Sequence, residues 1–89
     1  MIEESLTLDQ LMVGEGLTVC GVGGEDAMKR RLEDLGVVEG TRVVCVMRSP
    51  LGDPRAYWIR GAVIALRAKD ARTVTGQRCL VGKESGVWA

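Results

Sequence analysis

Eighty-nine residues make one domain and leave no room for a large ligand cavity, because a chain this short buries only about 60% of its unfolded surface. Twelve basic residues balance twelve acidic ones, so the basic excess usual for nucleic-acid binding is missing, which leaves only local basic patches for it; with no histidine, the commonest general base and metal ligand is missing too. Phe is also absent and Tyr57, Trp58 and Trp88 are the only aromatics, so the core is expected to be mostly Val, Leu, Ile, Ala and Met.

The first residues, MIEESLTLDQ, are acidic where a secretory leader is basic, and no run is long and apolar enough to span a bilayer. A soluble, cytoplasmic chain is expected. Thr7 or Asp9 can cap one helical turn, which Gly14 and Gly16 end. LTVCGV (17–22) reads as the first strand. EDAMKRRLEDLG (25–36) reads as the one helix: Met28, Leu32 and Leu35 form a stripe at spacings of four and three. Glu25–Lys29, Asp26–Arg30, Lys29–Glu33 and Arg30–Asp34 are opposite charges four apart on its wet face, and Gly36 stands where a terminating glycine belongs. Arg31 borders the apolar stripe, so its stem is expected over the core edge with its guanidinium offered to backbone or partner.

TRVVCVMR (41–48) is the next strand. Its alternation puts Val43, Cys45 and Met47 on one face and Arg42, Val44, Val46 and Arg48 on the other; with the first face as the expected core, Val44 and Val46 lie outward between the two arginines. SPLGDP (49–54) holds both prolines of the chain. Ser49 and Asp53 precede proline and are pushed to extended backbone, and Gly52 can take a positive φ, so the stretch is a stiffened loop. RAYWIR (55–60) and AVIALR (62–67) follow, with a bulge or bend at Gly61. Trp58 outward beside Val44 and Val46 forms an apolar patch with a basic rim, the usual look of an interaction site; the alternative is that both faces of these strands are partly buried in so small a barrel. RTVT (72–75) is a short last strand, and residues 76–89 are expected to form an extended or mobile tail outside a domain of residues 1–75.

The chemical motifs fail on inspection. GVGGED places Asp26 where a dinucleotide-binding turn needs its third glycine, and VGKES lacks the first glycine and the hydroxyl of a phosphate-binding loop. Cys20, Cys45 and Cys79 form no CxxC pair, and Cys20 and Cys45 are expected to be buried or inert. Neither a catalytic site, a metal site nor a cofactor is expected, and the chain does not read as an enzyme.

RRLEDLGVVEGTRV, SPLGDP and RGAVIALR occur in the order typical of ferrous iron transport protein A, FeoA, and across residues 6–75 the chain resembles that family. Glu39 replaces a common proline and Arg55 a usual aliphatic residue. The resemblance implies a mainly β fold: a small SH3-like β-barrel with one α-helix inserted after the first strand, related to the C-terminal domain of DtxR-type iron-dependent repressors. It also implies an accessory role in bacterial iron(II) uptake through the cytosolic GTP-binding region of the membrane ferrous iron transporter. The expected contact residues are Pro50, Leu51, Gly52, Asp53 and Pro54, with Trp58, Val44, Val46 and Arg31 beside them. Self-association into a homo-oligomer is a second use for such a patch. A free-standing metal-sensing or co-repressor module is the alternative reading.

Overall fold

The computed structural model describes residues 5–79. Among them, six strands form one antiparallel sheet: β1 (Ser5–Thr7), β2 (Gly16–Val22), β3 (Arg42–Arg48), β4 (Arg55–Ile59), β5 (Ala62–Leu66) and β6 (Val74–Cys79). Their lateral order is β1-β6-β2-β3-β4-β5. Helix α1 (Asp26–Asp34) follows β2, and a one-turn helix, α2 (Ala68–Ala71), follows β5. All six strands, a 3-10 turn at Leu8–Gln10 and both helices contribute to one core that includes Leu8, Leu17, Leu32, Val43, Tyr57, Ile59 and Val74. The fold is mainly β and SH3-like, as expected.

Two expectations need correction. The helix follows the second strand, because Ser5–Thr7 pairs with Thr75–Gln77 of β6. Three residues are too few to show an alternation, so β1 is silent in the sequence. The last strand also runs beyond Thr75 to Cys79, in a central position between β1 and β2. Gly76 is buried there. A methyl group on it would collide with the Thr18 carbonyl and the Leu17 side chain, so the glycine permits close strand approach. The residues from 80 onward, which hold the rest of the expected tail, lie outside those described.

Local chemistry explains the punctuation. Gln10 Oε1 accepts the Thr7 N–H at 2.9 Å, while the Thr7 hydroxyl donates to Asp9, closing the 3-10 turn. Helix α1 buries Leu32 and half-buries Met28 and Leu35, the expected stripe. It ends in a Schellman motif: the Gly36 N–H donates to Glu33 O at 3.0 Å and the Val37 N–H to Leu32 O at 2.9 Å, with Gly36 at φ +104°. Val37 and Leu32 are both core residues, which completes the motif's apolar contact. Arg60 (φ +50°) and Gly61 (φ +89°) are the two-residue turn between β4 and β5, the pattern of a type I′ hairpin. Among the described residues no helix is long and apolar enough to cross a membrane.

Candidate partner-binding surface

SPLGDP connects β3 to β4 and is a defined loop. The Gly52 N–H donates to Ser49 O at 2.8 Å and the Ser49 N–H to Pro54 O at 3.2 Å. Gly52 takes φ +88°, and the Asp53–Pro54 peptide is cis. The Asp53 carboxylate does not fold back on its own loop. It accepts the Ala68 N–H at 2.8 Å and so ties the loop to the start of α2. Leu51 stands at the tip, 93% exposed, with Pro50 exposed beside it.

Further apolar side chains lie toward that end of the sheet. The Met12–Glu15 turn runs beside β3: the Gly14 N–H donates to Cys45 O at 2.7 Å and the Cys45 N–H to Glu15 O at 3.0 Å. The Met12 N–H donates to the Glu15 carboxylate at 2.8 Å and holds its pKa below the usual carboxylate range. Met12 and Val13 are exposed, as is Met47. Sequence reasoning missed all three. For Met12 and Val13 the signal was available, as two apolar residues directly before a Gly-Glu-Gly turn.

Met47 was expected in the core, and Val44 on the open surface; the structure reverses both. A β-bulge separates Cys45, opposite Tyr57, from Met47, opposite Ala56. The extra residue restarts the alternation, so Met47 turns outward and Val46 is only half-buried. Val44 keeps its outer-face register but has no exposed surface; its lateral neighbours are Gly16 and Trp58. Trp58 is half-buried and lines an open groove of about 380 Å³ with Glu39, Gly40, Thr41, Arg42 and Arg60. That groove is at the far end of the β3–β4 hairpin from SPLGDP. Arg31 is exposed in the last turn of α1 and does not line the groove. The nine expected contact residues are thus divided between the loop, the groove, strand β3 with its buried Val44 and half-buried Val46, and the helix.

The charged and thiol groups settle into structural roles. Among the described residues, the helix-face charges do not close to ion-pair distance; Arg72–Asp9 at 4.0 Å and Arg78–Glu15 do. Arg55, which stands where an aliphatic residue was expected, donates to Leu11 O and so holds the segment before the Met12 turn. Burial raises the Cys45 thiol pKa. Cys20, expected to be buried or inert, is exposed, because β2 sends Val19 inward and its successor outward. No group of three His, Cys, Asp or Glu that could hold a metal occurs among the described residues.

The FeoA domain model matches residues 6–78. The chain belongs to the FeoA family. FeoA from Chlorobium tepidum is 32% identical in structural alignment, with a TM-score of 0.76 over 90% of this chain and 75% of that one. FeoA from Stenotrophomonas maltophilia, solved with zinc and described as a procaryotic SH3 domain protein, is 33% identical with a TM-score of 0.69, over 78% and 86%. A curated Fe(2+) transport protein A/Fe(2+) transporter FeoB fusion protein from Porphyromonas gingivalis is 29% identical over 69 residues, 78% of this chain. The chain corresponds to only 8% of that relative's length. A manganese-dependent transcriptional repressor, 17% identical over 89% of this chain and 39% of its own, has a TM-score of 0.78 and shares the fold alone.

Proposed function

We propose that this FeoA-family chain is a cytoplasmic, non-enzymatic accessory protein of ferrous iron uptake that binds the cytosolic GTP-binding region of the membrane iron(II) transporter. The SPLGDP loop is its principal contact, with Leu51 as the anchor and Met47, Met12 and Val13 toward the same end of the sheet. The fusion of transport protein A to transporter FeoB in the Porphyromonas gingivalis relative supports the choice of partner. The observation that carries the reading is the 93% exposure of Leu51 on a loop fastened by Ser49, Gly52 and Asp53. A plain hairpin needs only two turn residues and no leucine. A preordered loop also loses little conformational entropy on binding.

The test is Leu51→Ser against the purified cytosolic region of the transporter. Fold stability should stay within about 0.5 kcal/mol of the unsubstituted chain. Affinity should fall by roughly tenfold or more, the scale of one lost apolar anchor. Binding that is unchanged while the melting midpoint drops would make Leu51 a structural residue and SPLGDP a mere connection.

A further inference from the structure

Strand β5 is an edge of the sheet, and natural sheets protect their edges with charge, proline, bulges or covering segments. Ala62-Val63-Ile64-Ala65-Leu66 has none of the first three. Among the described residues nothing covers it either: Ala62 and Ala65 are exposed and Val63 is 62% exposed. The opposite edge, β1, is three residues long and offers little to pair with. On β5 the outer side chain Val63 continues the row that holds Val44 and Trp58.

The turn fixes which backbone groups face outward. A two-residue hairpin makes its flanking residues, Ile59 and Ala62, a hydrogen-bonded pair. Hydrogen-bonded and non-bonded pairs then alternate, so Ala62, Ile64 and Leu66 bond to β4. The N–H and C=O groups of Val63 and Ala65 point away from the sheet, and no loop or cap bond among the described residues reaches them.

We propose that β5 is the two-fold seam of a homodimer, pairing antiparallel with β5 of a second copy about an axis at Ile64. In that register Val63 of each copy faces Ala65 of the other, which satisfies the outward backbone groups of both. The two Ile64 side chains meet on the core side. Ile64 is only half-buried and packs against the core cluster, so its symmetry mate covers the part left open. Arg67 comes opposite Gly61, and Arg60 opposite Ala68, so no like charges face each other. The edge would also accept a strand of another protein. A second copy is the occupant argued for because its own sequence supplies an apolar, charge-compatible partner strand in a symmetric register.

Sedimentation of the full chain should show a concentration-dependent dimer. Two double variants test the register: Val63→Lys with Ala65→Lys, and Val63→Glu with Ala65→Glu. Each places like charges directly opposite and should weaken the dimer by at least about tenfold. An equimolar mixture of the two should restore dimers that native mass spectrometry identifies as mixed. If a charged variant fails to fold, cysteine pairing decides instead, in a chain carrying Cys20→Ser and Cys79→Ser. Ile64→Cys stands about 4.5 Å from its mate in Cα separation and should form a disulfide dimer on oxidation. Ala62→Cys lies about 13 Å from its mate and should not. A wild-type chain that stays monomeric to about 1 mM would overturn the proposal. So would charged variants that dimerise like wild type, a mixture that restores nothing, or equal cross-linking at the two cysteine positions.

Discussion

At the scale of single residues, Gly36 and Tyr57 show how local physics sets stability in a small core. Gly36 at φ +104° occupies backbone space that side chains rarely enter, and the Arg60 stem lies where its Cβ would be. Gly36→Ala is expected to cost at least about 1 kcal/mol, and Gly36→Val more, read as a shift in the urea midpoint at constant m. Tyr57 is fully enclosed and its hydroxyl donates to Leu8 O at 3.3 Å. That carbonyl also accepts the Leu11 N–H, so Tyr57→Phe leaves it partnered, and the loss at pH 7 should be near 0.5 kcal/mol. The pH profile is the sharper readout. Burial pushes the Tyr57 phenol up to about 12, whereas an unfolded tyrosine titrates near 10. The fold therefore favours the neutral phenol: its contribution is intact below about pH 10 and is lost as pH rises toward about 12. Unfolding free energy measured from pH 8 to 12 should fall less steeply in Tyr57→Phe than in wild type. Parallel curves would show that tyrosine ionisation is not linked to unfolding.

At the scale of elements, α1 is the plainest product of its sequence. Its stripe, its glycine stop and its solvated charges were all legible, but their ranking was not: Leu32 is 1% exposed while Leu35 is only half-buried. Leu32→Ala should cost about 2–5 kcal/mol and Leu35→Ala distinctly less, in chemical denaturation of the two variants side by side. Equal losses would mean that the helix leans on the sheet differently. Strands β2 to β5 were legible in position, β1 and the extent of β6 were not, and β3 was misread in its facing. Strict alternation along 41–48 puts Met47 inside, and one bulge after Cys45 turns it out. Bulges depend on the partner strand, here the pairing of Tyr57 and Ala56 with Cys45 and Met47, which the one-dimensional pattern does not contain. SPLGDP announced itself as a loop through its prolines and glycine. That Asp53 reaches Ala68 was illegible, because the tie joins segments fifteen residues apart through a turn whose geometry the sequence does not state.

At the scale of the whole molecule, the balance of charge and the placement of the cysteines bear on whether this FeoA-family chain acts by holding metal or by touching protein. Iron(II) and zinc favour imidazole or thiolate ligands. The chain has no imidazole, and the sheet keeps its thiols apart. Cys45 faces Tyr57 inside the core with its proton held by burial. Cys79 stands opposite Gly16, and Cys20 lies four residues further along the same strand, about 13 Å away. One FeoA relative was solved with zinc, which makes zinc the more demanding probe. Anaerobic calorimetry of the full chain with iron(II), and separately with zinc, is expected to give no stoichiometric site at micromolar affinity. Under the same conditions the cytosolic region of the transporter should bind, and binding should be insensitive to chelator. A saturable metal site whose removal by chelator abolished transporter binding would move the function from surface contact to metal sensing.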